Sequence, residues 1–299
     1  MYPRLIQILL LVSAIFYWAM PLHAMKPDNP MEFQFGIIAD CQYCDIEREG
    51  IRYHALSESK LNKSVEHLNR YDPEFVVNLG DLIDRDYESY DVVLPIIARI
   101  NSPVYHVLGN HDFFVAETLK EQIPEKIGMP SRYYDFALKG WRFIVLDGND
   151  ISFYAYPRNS DSYERARVYY EQNNIQSPTW NGGIGDQQIA WLRNVLEKAS
   201  SQNEKAMIFC HFPVYPQNIH NLWNDEEIVR LLSQYSCVKA YINGHHHEGN
   251  YGKKNGIHYL TLKGMVDTEQ NACATVRVYH DRLEVEGYGR EANRIMVIQ

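Results

Sequence analysis

The chain has 299 residues, 45% of them hydrophobic and 22% charged, an ordinary globular composition with enough length to bury a sizeable core. Its formal net charge of −9 argues against the broad basic face that a nucleic-acid footprint needs. A small phosphate substrate stays open, because bound cations can set the local field. At the N-terminus Arg4 precedes a mostly apolar run from Leu5 to Met20, Pro21 breaks it, and Leu22-His23-Ala24 resembles a signal-peptide cleavage pattern. Residues 1–24 are therefore expected to be an export signal and residues 25–299 one mature domain, periplasmic or secreted. The alternative is an uncleaved N-terminal anchor, although the run is short for a membrane-spanning helix. No second candidate span follows, and the oligomeric state is left open.

Phe33 to Ala39 reads as a buried strand, with Asp40 directly after it. Tyr53 to Asn69 carries Leu61, Val65 and Leu68 at helical spacing, and Pro73 closes that helix. Phe75 to Leu79 is the next strand, ending at Gly80-Asp81; Val92 to Ile100 reads as a helix. Pro103 to Leu108 is a third strand, ending at Gly109-Asn110-His111, and Trp141 to Leu146 is a fourth. Residues 150–183 show no steady periodicity and read as a long loop. A helix opens at Asp186 with Ile189, Leu192, Val195 and Leu196 on one face, and Ala206 to Cys210 is a strand ending at His211. After a helix carrying Ile228, Leu231 and Leu232, Val238 to Ile242 is a strand ending at Asn243-Gly244-His245. Only strands follow, at 257–262, 274–279 and 282–288. The early alternation predicts parallel strands with covering helices, and the late run predicts an antiparallel portion. Every candidate metal ligand falls at a strand's carboxyl end, where α/β sheets collect their sites.

These strand ends carry Asp, Gln, Asn and His, a set of hard oxygen and imidazole donors that suits two divalent metal ions such as manganese, iron or zinc. Asp81 has two carboxylate oxygens and can bridge two metals. The glycines before the ligands are expected to let the backbone turn sharply after each strand. The five cysteines, Cys41, Cys44, Cys210, Cys237 and Cys273, are an odd number, so at least one is unpaired. No second Cys-x-x-Cys completes a four-thiolate zinc site.

Asp40-x-Gln42, Gly80-Asp81-x-x-Asp84, Gly109-Asn110-His111-Asp112, the lone His211 and Gly244-His245-x-His247 resemble, in order and spacing, the signature of calcineurin-like metallophosphoesterases. The resemblance implies an α/β fold, a four-layer α-β-β-α sandwich of two mixed sheets with the metal site at the strand carboxyl ends. It implies that Asp40, Gln42, Asp81 and His247 hold one metal, and that Asp81, Asn110, His211 and His245 hold the other. It leaves His111 off the metals, beside the leaving group, as general acid or transition-state stabiliser. The reaction class is hydrolysis of phosphate esters or anhydrides by a water that the two metals activate.

Gln42 stands where many members have His. A neutral amide oxygen is a weaker donor and favours harder ions. A narrower branch carries this Gln, the manganese-dependent ADP-ribose/CDP-alcohol diphosphatases. The chain also resembles that branch at Arg52-Tyr53, Trp180-Asn181-Gly182-Gly183, His211-Phe212-Pro213 and Gly287-Tyr288-Gly289-Arg290. The branch implies manganese, with iron, zinc or magnesium as alternatives, and a small nucleotide-type substrate. Tyr43, Arg52, Asn181, Gly182 and Gly183 are candidate substrate contacts. The rival readings are a phosphodiesterase or phosphomonoesterase of the same superfamily, including a cyclic-nucleotide enzyme, and a non-catalytic binding scaffold on the same fold.

Overall fold

The computed structural model describes residues 30–298. The first half of the chain gives β1 (Phe33–Ile38), α1 (Leu56–Asn69), β2 (Val76–Asn78), α2 (Ser89–Ile97), β3 (Val104–His106), α3 (Ile123–Lys126), β4 (Tyr134–Leu138) and β5 (Trp141–Val145). The second half gives α4 (Asp161–Gln172), α5 (Asp186–Ser201), β6 (Lys205–Phe209), α6 (Asp225–Leu232), β7 (Val238–Asn243), β8 (Asn250–Lys254), β9 (Ile257–Thr261), β10 (Ala272–Val278), β11 (Arg282–Gly289) and β12 (Arg294–Val297). They form two six-stranded sheets, ordered β12-β11-β10-β1-β2-β3 and β4-β5-β6-β7-β9-β8. Both sheets are mixed. In the first, β1, β2 and β3 are parallel while β10 to β12 are antiparallel. The expected switch from parallel to antiparallel pairing is therefore found within one sheet.

Period-two alternation explains the layering. In β1, Phe33, Phe35 and Ile37 point into the space between the sheets, and they meet Phe143, Met207, Phe209, Ala240 and Ile242 from the second sheet. The Phe35 ring lies 6.0 Å edge-on from both Phe143 and Phe209. The alternate residues, such as Ile38, Ile208 and Tyr241, face outward and are covered by helices. Leu61, Val65 and Leu68 of α1 and Leu192, Val195 and Leu196 of α5 supply that cover. The result is the four-layer helix–sheet–sheet–helix sandwich.

The sequence expectation fails at α4, inside the segment expected to be a long loop. This helix has no apolar stripe, since only Ala166 of its residues is buried. Local chemistry holds it instead. Ser160 caps it by accepting from the Tyr163 N–H at 3.2 Å, and Arg167 pairs with Glu164 and Glu171 one turn away on either side. Short strands β4, β8 and β12 also escape the sequence reading. All five cysteines are free thiols. The expected export signal lies outside the described residues, and no helix among the described residues is long and apolar enough to cross a membrane.

Candidate metal centre

The two sheets bring their carboxyl ends to one place. Asp40 and Gln42 follow β1, Asp81 follows β2 and Asn110 follows β3, so the first sheet supplies the oxygen donors. His211 follows β6, and His245 and His247 follow β7, so the second sheet supplies the imidazoles. All seven side chains are buried. Asp81 Oδ2 is central: Gln42 Nε2 donates to it at 2.9 Å and His211 Nε2 lies 3.2 Å away. On one side of Asp81, His247 Nε2 is 3.5 Å from Asp40 Oδ1 and 3.3 Å from Gln42 Nε2. On the other, His211 Nε2 is 3.2 Å from Asn110 Oδ1, and Asp81, His211 and His245 place ligand atoms within 4.8 Å of one another.

Backbone strain puts these side chains in position. Asp40, Gln42, Asp81 and His245 all adopt left-handed backbone, with φ of 51°, 45°, 54° and 68°. Such conformations cost about 1–3 kcal/mol each and persist only where the surroundings enforce them. The expected role of the glycines needs correcting. Gly80 does turn through φ 99°, but Gly109 and Gly244 do not have positive φ. They are glycines because of close approach. A Cβ on Gly109 would lie 2.1 Å from Asp81 Oδ1, and one on Gly244 would lie 2.6 Å from Asp40 Oδ2.

The loops are locked together by Asp112, the last residue of the Gly-Asn-His-Asp motif. Its carboxylate accepts from the Asp81, Leu82 and Gly109 N–H groups at 2.9, 3.0 and 2.9 Å and from the Tyr90 hydroxyl at 3.0 Å. Three imidazoles are oriented in the same way, each through one ring nitrogen. His211 Nδ1 sits 2.8 Å from the Leu79 carbonyl, His247 Nδ1 sits 2.9 Å from Asp267 Oδ1, and His245 Nε2 sits 2.9 Å from Asn181 Oδ1. With an outer acceptor taking the N–H of each ring, the other nitrogen would offer its lone pair to a bound ion in place of a proton.

The donor set fits divalent cations. Asp40 and Asp81 are fully buried carboxylates, and burying such charge needs compensation. Burial opposes ionisation of Asp81, but the charges of His211 and His111 outweigh it and hold its carboxyl well below the usual range. Gln42 turns its amide nitrogen toward Asp81 and His247 while its buried carbonyl oxygen has no hydrogen-bond partner, so a half-turn of the amide would satisfy that oxygen by facing it to a metal. A second cluster, Cys44, His54 and Asp84, fits a metal poorly. Arg85 Nε occupies Asp84 Oδ2 at 2.6 Å, His54 Nδ1 faces the Gln42 carbonyl at 2.9 Å, and burial pushes the Cys44 thiol up to about 11.

Beside the centre is a cleft of about 340 Å³, lined among others by Arg52, His111, Phe114, Trp180 and His220. His111 is reached from the centre through its main chain, because its N–H donates to Asp81 Oδ1 at 2.7 Å. Its Nδ1 lies 3.1 Å from both the carbonyl oxygen and Oδ1 of Asp84. Of the candidate substrate contacts, Arg52 lines the cleft, but Tyr43 packs into the core beneath it. Asn181 is fully buried and holds His245, and Gly182 allows a close approach to the Gly148 carbonyl, which a Cβ would meet at 2.2 Å. Gly183 exchanges two backbone hydrogen bonds of 2.9 Å with Ile151, so this segment shapes the wall from behind. The sequence reading missed Asp112, Asp267, Phe114 and His220 as contributors. Only Asp112 carried a signal, through its place in the motif.

A two-sheet sandwich that gathers seven oxygen and nitrogen donors around a shared carboxylate defines a dinuclear metal hydrolase. The sequence profile of the calcineurin-like phosphoesterases matches residues 33–249. The chain belongs to that family. It is 30% identical to the manganese-dependent ADP-ribose/CDP-alcohol diphosphatase of Homo sapiens, over 91% of this chain and 95% of the human protein. It is also 30% identical to the diphosphatase of the same name from Arabidopsis thaliana, over 86% of this chain and 94% of that protein. Among solved structures, a dimetal phosphatase from Danio rerio superposes with a TM-score of 0.81 at 28% identity, covering 90% of this chain and 100% of that one. The family fold uses two divalent metals, and the curated relatives are named as manganese-dependent.

Proposed function

We propose that this protein is a manganese-dependent diphosphatase that hydrolyses the P–O–P linkage of nucleoside diphosphate-linked compounds, of the ADP-ribose or CDP-alcohol type. The observation that carries the reading is the 30% identity to the human diphosphatase across 91% of this chain, joined to the seven buried oxygen and nitrogen donors at the strand ends. Asp40, Gln42, Asp81 and His247 would hold one ion, and Asp81, Asn110, His211 and His245 the other. When bound, two such ions supply Lewis acidity and a nucleophilic water near neutral pH. The chain's own part is to fix the donors, to exclude bulk water by burial, and to present His111 to the departing oxygen. ADP-ribose and water would give AMP and ribose 5-phosphate. The cleft walls support a nucleoside ligand: Phe114 is an exposed aromatic ring 4.7 Å from His111, and Trp180 lies 5.3 Å from His245.

After EDTA stripping, added manganese should restore AMP release from ADP-ribose, read by chromatography of the products. Rapid hydrolysis of simple monoesters with ADP-ribose left intact would sink the reading in favour of a phosphomonoesterase. We also propose that residues 25–299 form the mature catalytic domain, exported after removal of residues 1–24. Mass spectrometry of the protein from its native host should find Met25 at the N-terminus; an intact Met1 would leave the anchored alternative.

A further inference from the structure

The geometry points to Lys60 as a positioning residue for the metal centre: its buried ammonium fills a carbonyl-lined cation site and so holds the two halves of the donor set in register. The inference goes beyond the choice of substrate and rests only on the dinuclear reading of the donors. Residues 264–268 form a strap that runs from β9 of the second sheet toward β10 of the first. Three of its N–H groups reach the ligand loops. Gly264 donates to the His247 carbonyl at 3.1 Å, Met265 to the Ala39 carbonyl at 3.0 Å and Val266 to the Asp40 carbonyl at 2.9 Å. The strap also carries Asp267, whose carboxylate holds His247. It therefore staples a first-sheet donor to a second-sheet donor, and Asp40 Oδ1 and His247 Nε2 end 3.5 Å apart.

The carbonyls of the strap converge on Lys60 of α1. Lys60 Nζ donates to the carbonyls of Met265, Val266 and Thr268 at 2.6, 3.1 and 2.7 Å, enough to engage all three of its N–H groups. The residue is 2% exposed, and these three partners are main-chain oxygens, none of them a carboxylate. Carbonyl dipoles aimed at one point repel one another, and a buried ammonium is costly without acceptors, so each makes the other tolerable. Burial brings the amine down to about 8, which leaves it a cation at neutral pH. Carbonyl oxygens gathered around one atom in this way also suit a bare monovalent cation, whose hydration shell they replace; here the cation is tethered to α1. The docking of α1 itself has a separate support. Asn271 Nδ2 donates to the main-chain carbonyl of Lys60 at 2.7 Å and to the Ser64 hydroxyl at 3.0 Å, contacts that any side chain at position 60 retains. Removing the ammonium thus frees the strap without undocking the helix.

The test uses Lys60→Met, which keeps an apolar stem and removes the charge, and Lys60→Ala, which opens the carbonyl site to a small cation. Manganese binding is titrated by electron paramagnetic resonance. One of the two manganese sites should weaken about 10-fold in both variants, the usual effect of losing a group that orients a ligand. In the metal-free protein, amide hydrogen exchange across 264–268 should quicken while β1 stays protected. Propylammonium, which matches the atoms removed, should restore manganese affinity in Lys60→Ala and leave Lys60→Met and the wild type unchanged; tetramethylammonium, which has no N–H to donate, should restore nothing. Two sites of wild-type affinity in Lys60→Met overturn the inference and leave the metal centre standing. Weakened binding in Lys60→Ala that the two ammonium ions affect alike also overturns it, because lost packing alone would do that. If neither variant folds by circular dichroism, Lys60 is a determinant of folding and the inference falls. A wild type that binds no manganese would bring down the dinuclear reading and this inference together.

Discussion

Replacing His111 with alanine is expected to leave manganese bound and to lower kcat by about 10²- to 10⁴-fold, the usual contribution of a positioned proton donor. The separation of the two effects follows from the geometry. The link from His111 to the centre is its main-chain N–H, which donates to Asp81 and which alanine retains. The imidazole does something else. Its Nδ1 is tied to Asp84, so Nε2 is the nitrogen left for a departing oxygen. Burial works against ionisation of Asp84, but the hydrogen bond and charge of His111 and the hydrogen bond from Arg85 outweigh it and bring the carboxyl down to about 2. Asp84 therefore stays an acceptor across any working pH. Metal content by mass spectrometry and turnover of ADP-ribose are the two readouts. Turnover at the wild-type rate would remove His111 from the chemistry, and loss of metal would make it structural.

The second large effect is expected at Asp267. Substitution by alanine should weaken manganese binding by about 10- to 100-fold at one of the two sites, although Asp267 lies outside the seven-donor set. Its carboxylate is 2.9 Å from His247 Nδ1, and its charge favours the orientation in which Nε2 faces Asp40. Gly264 of the same strap passes so close that a Cβ there would lie 2.6 Å from the His247 ring, so the imidazole is packed as well as hydrogen-bonded. Asp267→Asn keeps an acceptor oxygen without the charge and should fall between wild type and alanine. Manganese titration followed by electron paramagnetic resonance would resolve the loss of one ion from the loss of both. Two sites of unchanged affinity in Asp267→Ala would refute the orienting role.

That these seven residues gather in one place was legible in the sequence because each sits within a few residues of a strand end, and an apolar run followed by Gly-Asp or Gly-His is a local pattern. The reason for the glycines was not legible. Gly109 answers to the Asp81 carboxylate across a neighbouring strand, a contact that sequence distance hides. The contacts of Asp267 and Asn181 with the ligand histidines were unreadable for the same cause, since His247 and His245 lie 20 and 64 positions away. Helix α4 was invisible because its stability comes from a cap and ion pairs, which leave no apolar periodicity to detect. Tyr43 was drawn toward the substrate by its place beside Gln42, yet its ring packs in the hydrophobic core. Pattern reading succeeds where the physics is local, and here the groups that orient the ligands are non-local.

The division of donors between the sheets also bears on when a new molecule can become active. The oxygen donors end at Asn110, and the first imidazole, His211, comes 101 positions later. A ribosome has therefore released the whole first group long before the second exists, and the set closes only once His247 has emerged. The aromatic core between the sheets includes none of the seven donors. A chain that stops short of His247 therefore lacks part of the donor set, however much of the first sheet it has made.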